Sequence, residues 1–347
     1  MSIHSPRNHV CCEGEGKSKR KWVWWVVGAS LAAGVFSSFI PPLNSFAKAF
    51  WEYLVLIAVP VGVGLGIGGV MDRFVPKEYV AKLLARPRKR TVLYATGLGL
   101  LASACSHGIL ALSMELHKKG ASGPAVISFL LASPWANFPV TLLLIGLFSW
   151  KGFLIILAAV SVALTIGLVF QVFDEKGWIE KNRHTPAFDA SLSIRSDFKK
   201  RFKAYRPSFS QLKTDGRAVL RGTFELSEMI LGWVFFGVVL ASLIHAYVPT
   251  HFFHTFMGPN LLGLVATLGF ASILEVCSEG TAPLAFEIYR QTQALGNSFV
   301  FLSAGVLTDY TEIGLVWSNL GRRTALWMVF LGIPQILIWG WLFNLFF

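Results

Sequence analysis

The chain has 347 residues, of which 54% are hydrophobic and only 14% charged, with a mean hydropathy of +0.57. These values exclude an ordinary soluble domain and point to an all-α, polytopic membrane protein. The formal charge of +12 does not indicate nucleic acid, because the basic residues sit between apolar segments, where Lys and Arg mark cytoplasmic loops.

In chain order, residues 1–21 form a polar tail ending in Lys17, Lys19, Arg20 and Lys21, which reads as cytoplasmic. Its Cys11 and Cys12 read first as reduced, unligated thiols, with a metal-handling role as the alternative. The apolar run at 22–40 is too long for a signal-peptide core and is expected to remain as an extra transmembrane helix. Runs at 52–71, 92–113, 124–147 and 152–173 make a first repeat over 50–173. Residues 174–225 form a basic linker in which Lys199, Lys200, Arg201 and Lys203 alternate with Phe198, Phe202, Tyr205 and Phe209; an amphipathic element on the anionic leaflet and a solvated linker both fit. Runs at 226–247, 260–283, 297–317 and 325–346 make the second repeat over 226–347. Most of these nine runs approach the ~20 residues that cross ~30 Å of hydrocarbon as helix.

The halves carry one shared pattern. Cys105-Ser106-His107-Gly108 recurs 172 residues later as Cys277-Ser278-Glu279-Gly280, and the same offset pairs Glu115 with Glu287, Phe129 with Phe301, Ala132 with Ala304 and Asn137 with Asp309. Polar interruptions duplicated at membrane depth are what a transporter built from two related halves shows, since irregular backbone survives there only against protein or a water-filled cavity. If every run crossed fully, the basic loops at 73–90 and 174–225 would lie on opposite sides. The run at 92–113, interrupted and followed by His117, Lys118 and Lys119, is therefore expected to enter and return. Applied to both halves, this makes them inverted repeats with broken or re-entrant helices. It leaves Arg322 and Arg323 cytoplasmic and Lys48, Lys151 and Arg290 outside.

Ionisable groups at membrane depth invite functional roles. The first half supplies Cys105, Ser106, His107, Glu115, Ser133 and Asn137, and the second Glu275, Cys277, Ser278, Glu279, Glu287, Thr308, Asp309 and Glu312. Pro134 and Pro139 around Asn137 predict a second broken helix, with Thr308-Asp309-Tyr310 opposite. Cys105, Ser106, His107, Asn137, Cys277 and Ser278 are the candidate substrate contacts; Cys105, His107 and Cys277 could ligate a soft or borderline metal. Packing cysteines and a helix-bonded histidine are the plainer alternatives. Glu279 and Asp309 are the candidate proton-coupling carboxylates. Glu115 and Glu287 are expected in an interface near Lys118 and Arg290.

Cys105-Ser106-His107-Gly108, Lys119-Gly120-Ala121, Ala132-Ser133-Pro134-Trp135-Ala136-Asn137 and Glu275-Val276-Cys277-Ser278-Glu279-Gly280 with Thr308-Asp309 resemble the bacterial permease family that includes efflux transporters for trivalent organoarsenicals and relatives linked to copper or zinc export. The resemblance implies secondary efflux across the bacterial cytoplasmic (inner) membrane, with the membrane cysteines in substrate recognition. Relatives often carry a second Cys where this chain has His107. The expected function is thus export of a thiophilic metal, metalloid or organometalloid species, the alternative being a channel-like or uptake permease for a small solute. No Walker, HExxH or GxSxG motif occurs, so neither ATP hydrolysis nor an enzyme is expected, and no cofactor. The expected partners are the lipid bilayer and a small inorganic or organometalloid substrate, not nucleic acid; a homo-oligomer is left open.

Overall fold

The computed structural model describes residues 16–74, 84, 89–99, 106–118, 120–182, 209–274 and 278–347. Among them the chain forms fourteen α-helices, a short 3-10 helix at Pro41–Leu43 and no strand. The first half holds α1 (Gly16–Ser37), α2 (Asn44–Phe74), α3 (Lys89–Gly99), α4 (Ser106–Lys118), α5 (Gly123–Ala136), α6 (Phe138–Phe148) and α7 (Trp150–Lys176). The second holds α8 (Phe209–Tyr247), α9 (Thr250–Phe256), α10 (Leu261–Leu274), α11 (Ser278–Thr292), α12 (Leu295–Leu307), α13 (Tyr310–Asn319) and α14 (Arg322–Phe346).

The repeat is written into these boundaries. Helices α3 to α7 begin at Lys89, Ser106, Gly123, Phe138 and Trp150, and α10 to α14 begin at Leu261, Ser278, Leu295, Tyr310 and Arg322. Each pair is separated by 172 residues, the offset of the Cys-Ser motif.

Repeat-equivalent helices run antiparallel. The end of α7 meets the start of α14, where the Glu180 carboxylate accepts from the Arg323 N–H (2.9 Å), the Thr324 N–H (3.0 Å) and the Thr324 hydroxyl (2.9 Å). At the opposite end, Trp150 of α7 lies 5.5 Å from the Phe347 ring. Burial pushes the Glu180 carboxyl up, but those donors outweigh it and hold it below the usual carboxylate range, as expected of an anion capping a helix N-terminus. Likewise Arg73, near the end of α2, bonds Asp215 near the start of α8 at 2.7 Å. Glu52, near the start of α2, pairs instead with Arg290 at the end of α11. The molecule thus has a basic end, with Arg73, Arg322 and Arg323, and a far end with Lys151 and Arg290. The halves are inverted, as the charge distribution predicts.

The re-entrant expectation also has a geometric counterpart. Leu84, before α3, accepts through its carbonyl from the Ser122 N–H at 3.3 Å. The Asn182 amide, beside Glu180, donates to the carbonyls of His117 (2.7 Å) and Ala121 (2.8 Å). Leu84, His117, Ala121, Ser122 and Asn182 therefore share the basic end, so the chain lies at the same end ahead of α3 and after α4. In the second half the Asn297 amide donates to the carbonyls of Met257 (3.0 Å) and Gly258 (3.3 Å) and to the Thr267 hydroxyl (3.0 Å), so α10–α11 begins and ends at the far end.

Four helices, α2, α7, α8 and α14, are long and apolar enough to cross a membrane alone. The pairs α5–α6 and α12–α13 cross as broken spans, bent by 45° and 41°. A 109° corner separates α9 from α10 and turns the chain back into the hairpin. Two helices exceed their apolar runs: α2 begins at Asn44 and α8 at Phe209, so the first turns of α8 lie within the stretch assigned to the linker. α1 stands outside the repeat and packs on α8, with Trp22 5.5 Å from Trp233. Large apolar side chains such as Val55, Val59, Ile273 and Phe330 remain exposed, as bilayer-facing surface requires.

Candidate functional site

Both spans of the α5–α6 and α12–α13 type break at the positions where Asn137 and Asp309 stand opposed by the repeat. Each residue does the same local work. Asn137 is 2% exposed; its backbone is extended, and its side-chain oxygen accepts from the Val140 N–H at 2.9 Å, capping α6. Asp309 Oδ1 accepts from the N–H groups of Thr311 (2.7 Å) and Glu312 (3.3 Å) and from the Thr311 hydroxyl, capping α13. In the first half, Pro139 near the start of α6 reinforces the break by lacking an N–H. In the second half no proline is needed: the Thr308 hydroxyl turns back onto the Ala304 carbonyl (2.7 Å) and approaches Ser272 Oγ (2.9 Å). A broken span presents a helix C-terminus and a helix N-terminus at one depth, able to hold cations on carbonyls and anions on N–H groups.

The hairpins meet these breaks from the other half. α4 packs against α13 and α11 against α6, while α5 touches α12. Ser278 and Glu279 open α11, 3% and 1% exposed, and the Ser278 hydroxyl donates to Glu279 Oε2 at 3.1 Å. Glu312, beside Asp309, is 3% exposed, and its Oε2 has no hydrogen-bond partner among the described residues. Cys105 and Cys277 lie outside the described residues, as do the side chains of Ser106 and His107, although Ser106 starts α4 just as Ser278 starts α11. Among the described residues no cluster of three or more His, Cys, Asp or Glu is arranged to hold a metal. No hydrogen bond joins Asn137, Ser278 or Glu279, and Asp309 to one another among those residues.

One buried polar group falls outside the sequence-derived site. Glu287 is fully buried, accepts from the Tyr53 hydroxyl and from the Gln291 amide (2.5 Å), and lies 3.0 Å from His245 Nδ1. Tyr53 belongs to α2, His245 to α8 and Glu287 to α11, so three helices from both halves meet on one carboxylate. The nearby Arg290 pairs with Glu52 rather than with Glu287. Glu115, the repeat mate of Glu287, is exposed. The signal for this cluster was present in the sequence as two polar residues, Tyr53 and His245, inside apolar runs. An adjacent hollow, lined by Ile244, Val248, Phe252, Met257, Leu284 and Phe301, is apolar, with the Met257 thioether as its soft donor.

Two inverted halves, each with a re-entrant hairpin leaning on the other half's broken span, define a polytopic membrane permease. A family described as "Predicted permease" (ArsP_1) matches residues 42–345, and the chain belongs to that family; α1 precedes the matched region. The chain is 26% identical over 254 residues to "Putative permease Rv2963" of Mycobacterium tuberculosis, covering 67% of this chain and 60% of that protein. It is 22% identical over 286 residues to "UPF0718 protein YcgR" of Bacillus subtilis, covering 82% and 91%. It is 23% identical over 296 residues to a Streptococcus mutans protein named "Putative two-component membrane permease complex subunit", covering 84% and 91%. No solved structure matches the chain.

Proposed function

We propose that this permease is a secondary-active exporter of a thiophilic species, whether soft metal ion, trivalent metalloid or organometalloid, in a bacterial cytoplasmic membrane with its N-terminus inside. The observation that carries the reading is the symmetric placement of Cys105 and Cys277, each one residue before the second arm of a re-entrant hairpin. Thiolates select soft, polarisable ions, and helix interruptions of this kind are where permeases hold cargo at mid-membrane. Ser106, His107, Ser278 and Asn137 complete the proposed cargo contacts, with Cys105, His107 and Cys277 as the ligands of a metal cargo. Glu279 and Asp309 are proposed to carry the coupling proton, and Glu279 suits that role by its place, 1% exposed at the start of α11, since ionisable groups at membrane depth mark ion and proton pathways. The orientation follows from the basic end, whose Arg and Lys residues favour the cytoplasmic side.

The test is growth of a deletion strain on a panel of arsenicals, antimonite, copper and zinc, complemented by the wild-type chain, Cys105→Ala or Cys277→Ala at matched membrane levels. One toxicant in the panel should be tolerated only with the wild-type chain. Each variant should lose at least about tenfold in tolerance, the equivalent of about 1.4 kcal/mol of cargo binding. Both variants protecting as well as wild type would remove the thiols from the mechanism.

A further inference from the structure

The repeat maps the buried lock of the far end onto a second trio at the basic end. With the 172-residue offset, Glu287 corresponds to Glu115, His245 to Arg73 and Tyr53 to Glu225. The first trio is assembled; the second is not. Arg73 bonds Asp215 through Nε (3.1 Å) and through its terminal nitrogen (2.7 Å), Glu225 bonds Arg221 at 2.9 Å, and Glu115 is exposed.

Helix packing differs in the same sense. α8 lies so close on α11 that a Cβ added to Gly237 would sit 2.1 Å from the Gly280 carbonyl oxygen. The repeat-related contact would bring α2 onto α4. Instead α2 lies along α6, where a Cβ on Gly64 would be 2.7 Å from Pro139 Cα. Among the described residues no hydrogen bond or ion pair joins α2 to α4. One molecule therefore holds two arrangements of one structural unit, with α8 packed on α11 around Glu287 at the far end and α2 packed on α6 rather than on α4 at the basic end. In an inverted repeat, exchanging the two arrangements yields the state that opens to the opposite side.

We propose that Glu287 and Glu115 are the paired gate carboxylates of an alternating-access cycle, Glu287 closing the far end by drawing α11 onto α2 and α8, and Glu115 closing the basic end by pairing with Arg73. The proposal rests on the permease reading but not on the nature of the cargo. The second lock is chemically complete: Arg73 would sit between the carboxylates of Glu115 and Glu225, and a guanidinium fork suits such a bidentate arrangement. In the present state Asp215 holds Arg73 in reserve. The two ends are thereby exclusive, since Glu287 is bonded to α2 and α8 while Glu115 is not bonded to either through Arg73 or Glu225.

Thiol cross-linking in native membranes tests this without any cargo. In a chain with Cys11, Cys12, Cys105 and Cys277 changed to Ser, the pair Arg73→Cys/Asp215→Cys reports the present arrangement, and the pair Arg73→Cys/Glu115→Cys reports the proposed one. A short bifunctional methanethiosulfonate should link both, because it spans the Cα separation of an arginine–carboxylate pair, which exceeds the ~7 Å that a direct disulfide tolerates. Adding Tyr53→Phe, which weakens the far-end lock by one hydrogen bond, should raise the initial rate of Glu115 linkage about fivefold. The proposal is overturned if the Asp215 pair links while the Glu115 pair does not, or if Tyr53→Phe leaves the Glu115 rate unchanged. Failure of the toxicant panel with successful trapping would discard the thiophilic cargo and keep the gate.

Discussion

Glu287→Ala should be among the most destabilising single changes in this protein, costing about 3 kcal/mol, the upper end of the penalty for leaving a buried hydrogen-bond donor without its acceptor. The carboxylate is fully buried and receives bonds from Tyr53, itself fully buried, and from Gln291, with His245 at 3.0 Å. Alanine would leave the Tyr53 hydroxyl without its acceptor in a site closed to water, and would unfasten α11 from α2 and α8 together. Glu115→Ala supplies the control, because the same substitution at the repeat-equivalent but exposed position should stay within about 0.5 kcal/mol of wild type. Thermal unfolding of the detergent-purified variants checks this. Equal losses at both positions would mean that Glu287 is not the junction described.

Gly237→Val should prevent the α8–α11 contact outright. The clash would be with backbone, the Gly280 carbonyl oxygen at 2.1 Å from an added Cβ, and backbone cannot rotate aside as a side chain can. Small residues at helix crossings are what allow such approaches in membranes, where packing replaces the hydrophobic drive. Separation of these helices would also pull Ser278 and Glu279 from their buried positions, so folded yield and transport should fall together. The loss should be at the upper end of overpacking effects, about 3 kcal/mol or more. Gly62→Val, at a position with nothing within 4 Å of an added Cβ, should leave yield unchanged. Comparable yields of the two variants, measured by fluorescence-detected size exclusion, would show that the contact is not tight.

Much of this architecture was legible because the repeat is kept at a fixed offset. The pairing of Asn137 with Asp309 was visible as sequence, and the structure gives the two residues the same capping role. Pro134 and Pro139 marked the first break. The second break was visible only through that symmetry, since Thr308 and Asp309 interrupt the helix by hydrogen bonding rather than by a missing N–H. The excess length of α8 was hidden because Lys213, Asp215 and Arg217 leave the apolar run while the helix continues beyond it. The Glu287 junction was hidden for a different reason: Tyr53, His245 and Glu287 are distant in sequence, and Glu287 alone reads as an interfacial residue. Arg290 lies near Glu287 as expected, while its ion pair is with Glu52.

The central claim is that two inverted halves each send a hairpin into the membrane and bring it back to the side it left. Single cysteines placed at Lys118 and Arg290, in a chain lacking its four native cysteines, test it most directly when labelled with an impermeant maleimide in intact cells and again after permeabilisation. The account predicts that Arg290→Cys is labelled in intact cells, whereas Lys118→Cys is labelled only after permeabilisation. Labelling of Lys118→Cys from outside would contradict it.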